Sequence, residues 1–347
     1  MTALGLTFFE FCRRRGFASC TLQASRLAYR AALFGGKDVS EQGPVAPVVR
    51  THRDGELIKF VQRLPDGLET ESVIIPMTGR QRRWTSLCVS SQVGCAMGCT
   101  FCETARLGRL ADLAAADIVG QVVAARRHFD AEIRNVVFMG MGEPFDNFDQ
   151  VIQAIRVLTD PAGLSLGMSR ITISTVGRVG GIRRLASLGW RRINLAVSLN
   201  APNDEIRSRI MPINRVDTMA DLRAALLDYP LRRCQFFMIE YVLIPGVNDA
   251  DAHAAQLADY LRPIPCCLNV IPYNPGRDAT YRTPTEEGVS RFIDRVRDAG
   301  QYCKRRITKG RDFMAACGQL GNIELIRNQA NTPMNSGNRP GLHSRRS

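Results

Sequence analysis

Lysine is nearly missing from this chain of 347 residues. It occurs only at Lys37, Lys59, Lys304 and Lys309, so almost all of the 46 basic residues are Arg. No apolar run is long enough to cross a bilayer, which excludes a spanning helix. An apolar signal core is also missing: Phe8 to Phe11 is short and runs into Arg13-Arg14-Arg15, so a surface helix is expected there rather than a leader. A second CxxC pair is absent, which removes the usual zinc ribbon.

The charge that is present is one-sided, with a formal net charge of +13. Arg makes forked, permanently charged contacts to phosphate, so a polyanion such as RNA is a candidate partner. An arginine-rich codon usage would give the same charge, so charge alone does not choose. The 11 cysteines are odd in number and clustered, which favours metal or redox chemistry in a reducing compartment, the cytoplasm, over a disulfide framework.

Residues 7 to about 34 carry helical spacing at Phe8, Cys12, Leu22, Leu27 and Leu33, closed by Gly35-Gly36. A linker, Gly43 to Pro47, follows. Leu57 to Val61 and Ser72 to Ile75 read as strands of a hairpin turning at Pro65-Asp66-Gly67. From Thr85 short apolar runs alternate with helical patterns: Leu87 to Val89, Val136 to Met139, Ile171 to Ser174, Leu195 to Ser198, Phe237 to Leu243 and Leu268 to Ile271. Tyr302 to Ile307 reads as a basic edge strand. One intervening helix aligns Ile118, Val122, Ala125 and Phe129, and another Phe148, Ile152, Ile155 and Leu158. A third is expected to start at a capping box, Thr283 with Glu286, with Pro284 at its first position. About six βα repeats predict an α/β fold, an incomplete (β/α)6-type barrel with a small N-terminal helix and a β-hairpin extension, whose chemistry sits at the C-terminal ends of its strands. The expected division is 1–50 for a helical extension and linker, 51–84 for the hairpin, 85–325 for the barrel and 326–347 for a disordered basic tail.

Cys95-Ala-Met-Gly-Cys99-Thr-Phe-Cys102 follows the first run of the barrel. Cluster-binding sites normally supply four thiolates. Three on one loop can cap three corners of a 4Fe–4S cubane and leave one iron open to the amino and carboxylate groups of S-adenosylmethionine (SAM). Cys266-Cys267 has no good geometry as a ligand pair and reads as core.

With five further strings, this stretch resembles the RlmN/Cfr family of radical SAM RNA methyltransferases from about Glu71 to about Gly321. They are Met139-Gly-Met-Gly-Glu-Pro144, Ile173-Ser-Thr-Val-Gly177, Ser198-Leu-Asn-Ala-Pro-Asn-Asp204, Ile271-Pro-Tyr-Asn-Pro275 and Ala315-Ala-Cys-Gly-Gln-Leu320. The resemblance implies a radical SAM barrel, a 4Fe–4S cluster on Cys95, Cys99 and Cys102, and SAM contacts at Gly142, Glu143, Ser174, Ser198, Leu199, Asn200 and Asn274. Asn200 stands where family members usually carry His. It further implies that Cys317 carries the methyl group to a ring carbon of adenine, C2 or C8, in 23S rRNA or tRNA. Cys88 then resolves the adduct through a transient disulfide with Cys317, and Glu71, with Cys88 as its rival, removes the ring proton. Such a carbon is not a nucleophile, so it offers SAM no electron pair and needs radical addition instead. Phosphate contacts are expected from Arg80, Arg82, Arg83, Arg106, Arg109, Arg305, Arg306, Lys309 and Arg311, all flanking the cysteine motifs. The expected partners are RNA and a reductant such as flavodoxin or ferredoxin, with no membrane and a monomeric chain. The competing readings are a radical SAM methyltransferase of a small molecule or peptide, and a non-catalytic iron–sulfur or RNA-binding protein.

Overall fold

The computed structural model describes residues 2–16, 22–34, 45–79, 82–276, 279–306, 310 and 314–321. The expected helix stop at Gly35-Gly36, Arg80, Lys309, Arg311 and the tail lie outside them. In chain order the elements begin with α1 (Phe8–Arg15), α2 (Leu22–Phe34), β1 (Val48–Asp54), β2 (Leu57–Arg63), β3 (Glu69–Thr78) and β4 (Arg83–Cys88). Then come β5 (Gln92–Gly94), α3 (Glu103–Arg106), β6 (Arg109–Asp112), α4 (Ala115–Phe129), β7 (Ile133–Phe138), α5 (Phe148–Thr159) and β8 (Ile171–Thr175). The chain continues through α6 (Val179–Ser187), β9 (Asn194–Ser198), α7 (Asp204–Ile210), α8 (Met219–Leu227) and β10 (Phe237–Leu243). It closes with α9 (Asp251–Leu261), β11 (Cys266–Pro272), α10 (Glu286–Asp298) and β12 (Cys303–Arg305).

Ten strands form one sheet in the order β1-β2-β3-β4-β7-β8-β9-β10-β11-β12. From β4 to β12 every neighbouring pair is parallel, and each crossover carries at least one helix. This is the α/β partial barrel expected, and among the described residues β1 and β12 are its edges. The expected hairpin, β2 with β3, is present as an extension of that sheet. β3 pairs with β4 from Val73↔Cys88 to Thr78↔Arg83, so the hairpin extends the barrel sheet directly. β1 adds a further antiparallel strand to β2.

Burial alternates along the strands, which shows how the sheet is used. Leu87, Val136, Phe138, Ile173, Leu195, Val197, Ile239, Tyr241, Leu268 and Val270 are buried in the main core with the helices. The alternate positions face inward and are unusually polar for a parallel sheet: Ser86, Asn135, Ser174, Ser198, Glu240 and Asn269. A face that was only packing would not carry them. A second apolar cluster packs Met97 and Cys99 against Ile206, Ile210 and Met211, docking the cysteine loop on α7.

Two local expectations need correction. The helix over 286–298 is capped by Thr285, whose hydroxyl accepts from the Gly288 N–H, so Pro284 precedes the cap instead of opening the helix. The helical stretch at the N-terminus is two helices; α1 ends at Gly16 in the left-handed region, where glycine fits.

Candidate active site

The C-terminal ends of the parallel strands surround a cleft of about 1050 Å³, counted out to open solvent. One wall is the cysteine loop. Gly94, at φ +77°, turns the chain so that the Cys95 N–H reaches Gly108 O at 2.8 Å; a Cβ there would meet that oxygen at 1.8 Å. The Cys102 N–H donates to Cys99 O and Thr100 N–H to Ile210 O, which ties the loop to α7. Cys95, Cys99 and Cys102 all line the cleft. Burial pushes the Cys95 thiol up to about 12 and Cys99 and Cys102 upward as well, and the neighbouring thiols add to the shift at Cys95 and Cys99. Three cysteine sulfurs that converge on one cleft from a single loop are the soft donor set an iron–sulfur cluster takes, and a coordinated iron draws such thiols into the thiolate form. The residues therefore fit a 4Fe–4S cluster held by these three sulfurs. Among the described residues no three His, Cys, Asp or Glu side chains are placed around a single metal ion.

The opposite wall is polar. Glu143 is buried, its two oxygens accepting from the N–H groups of Phe145 and Val176, and burial pushes its carboxyl up to about 7. Gly142, at φ +96°, brings Glu143 in; a Cβ on it would lie 2.5 Å from Gln92 Cβ and 2.8 Å from Gln92 N. Gln92 Oε1 accepts from the Glu143 N–H, joining the cysteine loop to this wall. Thus Gly142 makes room for Gln92, a residue that sequence reading left unassigned. Ser174, Ser198 and Asn274 line the same cleft.

The segment 314–321 forms the remaining side and carries Cys317 into the cleft. Gly318 O accepts from the Glu103 N–H at 2.8 Å, next to Cys102. Thr104 Oγ1 donates to Leu320 O, and Gln319 Nε2 to Pro275 O. From below, Lys59 Nζ donates to Met314 O, and the Gly321 N–H donates to Glu71 Oε2. Cys317 is exposed, whereas Cys88 lies buried on the inner face of β4 with its thiol raised to about 12 by burial, then by the charge of Cys317, against the nearby Arg306. Arg306 pairs with Glu240 at 3.1 Å, and Asn269 Nδ2 donates to the other Glu240 oxygen at 2.9 Å.

Residues 89–258 match the radical SAM superfamily. The chain is 45% identical over 281 residues to a probable dual-specificity RNA methyltransferase RlmN of Protochlamydia amoebophila, covering 81% of this chain and 77% of that one. It is 43% identical over 292 residues to the dual-specificity RNA methyltransferase RlmN of Syntrophotalea carbinolica, covering 84% and 76%. The crystal structure of a radical SAM methyltransferase from Sphaerobacter thermophilus superposes with a TM-score of 0.83 at 36% identity, covering 92% and 98%. The chain belongs to the RlmN family of radical SAM enzymes. It is accordingly a radical SAM RNA methyltransferase that works with a 4Fe–4S cluster and SAM.

Against the RlmN family expectations, the fold brings together the three cluster cysteines, Gly142, Glu143, Ser174, Ser198, Asn200, Asn274 and Cys317. It does not bring Leu199 there: its side chain is buried in the core, its N–H donates to Glu240 O, and its carbonyl accepts from Arg207. Asn200 borders the cleft, but its amide is engaged, with Oδ1 accepting from Val242 N–H and Nδ2 against Met211 Sδ. At φ +58° it occupies a backbone region that Asn tolerates better than most residues. Glu71 is 4% exposed and paired with Lys59 at 2.8 Å, so it neither lines the cleft nor sits in solvent. Arg306 borders the cleft as the partner of Glu240 instead of standing free for phosphate, and Arg305 pairs with Glu286. Arg82 and Arg83 stand at the start of β4, the end away from the cleft. Arg106 and Arg109 are exposed beside the cysteine loop, paired with Glu103 and Asp112. Glu240 was missed, although a lone carboxylate inside the apolar run Phe237 to Leu243 was a signal of a buried polar site. No helix among the described residues is long and apolar enough to cross a membrane.

Proposed function

We propose that the enzyme methylates a ring carbon of adenine, C2 or C8, in 23S rRNA or tRNA, with Cys317 as methyl carrier and Cys88 as resolving thiol. The single observation that carries this reading is the placement of Cys317: a segment clipped at both ends presents its sulfur to the cleft that holds Cys95, Cys99 and Cys102. Held by Cys95, Cys99 and Cys102, a 4Fe–4S cluster would supply the electron that cleaves SAM to a 5′-deoxyadenosyl radical.

The protein's own groups account for the remaining demands. Glu143 accepts from the SAM ammonium, and Ser174, Ser198 and Asn274 border the same ligand. Cys317 takes a methyl group at sulfur from one SAM, which leaves as S-adenosylhomocysteine. Loss of a hydrogen atom from that S-methyl to the 5′-deoxyadenosyl radical leaves a methylene radical that bonds to the ring carbon. Exposure at the cleft gives that sulfur access to a flipped base, which must leave its stack to arrive. Cys88 waits in the sheet beneath. Once the S-methylene carbon has bonded to the ring carbon and the adduct has returned one electron to the site that supplied it, the Cys88 thiolate attacks the Cys317 sulfur. The S–S bond forms as the S–CH2 bond breaks, the electron pair passes into the base, and the new carbon takes a proton to become methyl. An external reductant of the flavodoxin or ferredoxin type supplies the electrons that restore both thiols. The ring proton goes to Cys88 or to Glu71; the latter must first loosen its contacts with Lys59 and Gly321 N–H. The enzyme is expected to act as a monomer in the cytoplasm.

The test is anaerobic incubation of cluster-loaded enzyme with SAM, reductant and 23S rRNA or tRNA, followed by nucleoside mass spectrometry. The expected products are 5′-deoxyadenosine with 2-methyl- or 8-methyladenosine. 5′-Deoxyadenosine without methylated RNA would overturn the reading and favour a small-molecule or peptide substrate. C88A is expected to accumulate a covalent RNA adduct on Cys317, visible as a slow band in denaturing gels. Release of free methylated RNA at the wild-type rate from C88A would remove the resolving role.

A further inference from the structure

Arg207 is the largest fully buried side chain of the described residues, at 0% exposure, and its guanidinium meets no carboxylate directly. Nε donates to Leu199 O at 3.2 Å. One terminal nitrogen donates to Asn214 Oδ1 at 2.8 Å and to Asp217 O at 3.3 Å, and the other to Val176 O. Every acceptor is neutral. The nearby carboxylates act at one remove: Asp204 accepts from Nδ2 of Asn214, whose Oδ1 takes the guanidinium's hydrogen bond, and Asp217 shares Arg178 with Asp146. A buried charge with no carboxylate in direct contact is costly, so its retention needs a reason.

The surroundings supply one. Val176 and Leu199 follow or end β8 and β9 at the cleft, so Arg207 ties together the two strand ends that carry Ser174 and Ser198. Space for the guanidinium exists because residue 177 is glycine; at φ +98°, a Cβ there would lie 3.1 Å from the Arg207 terminal nitrogen. On its other side α7 packs on the cysteine loop, through Ile206, Ile210 and Met211 against Met97 and Cys99, and through the Thr100 N–H to Ile210 O. Arg207 does not border the cleft, so it touches no substrate. It stands behind the wall, with the thiol of Cys99 within range of its field.

We propose that Arg207 is a positioning residue whose buried charge, in direct contact with no carboxylate, sets the electrostatic potential at the Cys99 corner of the cluster and favours its reduced state. Held by three thiolates, the cluster is an anion that gains another negative charge on reduction, and net charge around it is one determinant of its potential. A fixed cation in a low-dielectric wall favours the more negative form. The inference rests on the radical SAM assignment and adds to it a control of the electron that starts the reaction.

The experiment compares wild type, R207K and R207Q after cluster loading, with iron and sulfide content measured first so that loss of the cluster is seen separately. Gln keeps a donor for the carbonyls but removes the charge; Lys keeps the charge. An electron-paramagnetic-resonance redox titration is expected to show R207Q with the reduced-to-oxidised ratio lowered about tenfold at fixed potential, which is about 59 mV downward for a one-electron couple. R207K should stay near wild type. An unchanged potential in fully loaded R207Q would overturn the proposal, and so would R207K falling as far as R207Q. Circular dichroism of the cluster-free proteins supplies the second readout. If Arg or Lys gives folded apoprotein and Gln does not, the charge serves the fold and the proposal fails.

Discussion

Glu143 gathers two roles that pull in opposite directions. Its carboxylate caps two backbone N–H groups, which favours ionisation, yet burial is the larger influence and pushes its carboxyl up to about 7. Below that pH the free enzyme carries a neutral acid there, and an arriving ammonium must displace the proton. SAM affinity should therefore fall up to about tenfold per unit as pH drops below about 7 and flatten above it. Calorimetric titration of cluster-loaded enzyme across this range checks the slope, and E143Q should remove it. Gly142 sets up the same contact from the backbone. In G142A the new Cβ collides with Gln92, so SAM binding should weaken by at least about tenfold, roughly 1.4 kcal/mol, while iron content stays at the wild-type level.

At the scale of elements, the segment bearing Cys317 has little regular structure of its own and depends on its clips. Lys59 holds both Met314 O and the Glu71 carboxylate, with the two side chains only 7% and 5% exposed. K59M would strand a buried carboxylate, so the fold should lose about 3–5 kcal/mol. Urea unfolding should show a lower midpoint with an unchanged slope, and trypsin or chymotrypsin should cut near 314–321 sooner than in wild type. The pairing of Lys59 with Glu71 was not legible from sequence, because it depends on the β2–β3 register that places both on the inner face. By contrast the parallel strands were legible, since each inner strand of the sheet needs an apolar face against helices whatever the other face does. β1 was not: Val48–Asp54 is polar and largely exposed, an edge strand whose residues carry almost no burial pattern. The cap at Thr285 was misplaced for a related reason. Both Thr283 and Thr285 are capping residues, and only the chain's approach to the sheet selects between them. The cluster loop was readable because its three cysteines are contiguous. Glu240, Arg207 and Gln92 were not, because they come together from distant strands and helices.

For the whole molecule, the net charge of +13 comes from an excess of Arg over acid, and several of those arginines are committed inside the fold. Arg178 bridges Asp146 and Asp217, Arg306 pairs with Glu240, and Arg207 is sealed from solvent. These groups cannot all serve as phosphate contacts, so the surface field must come from the exposed arginines. If RNA is gripped by several of them, binding should follow counterion release. A footprint of about six phosphates would lose about 10³-fold in affinity between 50 and 200 mM salt. SAM binding in the same protein should change little over that range, because its contacts lie in a cleft walled by buried Glu143 and the cysteine loop. Fluorescence anisotropy with a labelled rRNA fragment, run beside SAM calorimetry at matched salt, separates the two. A flat salt response for RNA would mean that the arginine surface is solvated charge and that RNA is held by base stacking or shape instead. Parallel loss of both ligands would mean that salt acts on the fold.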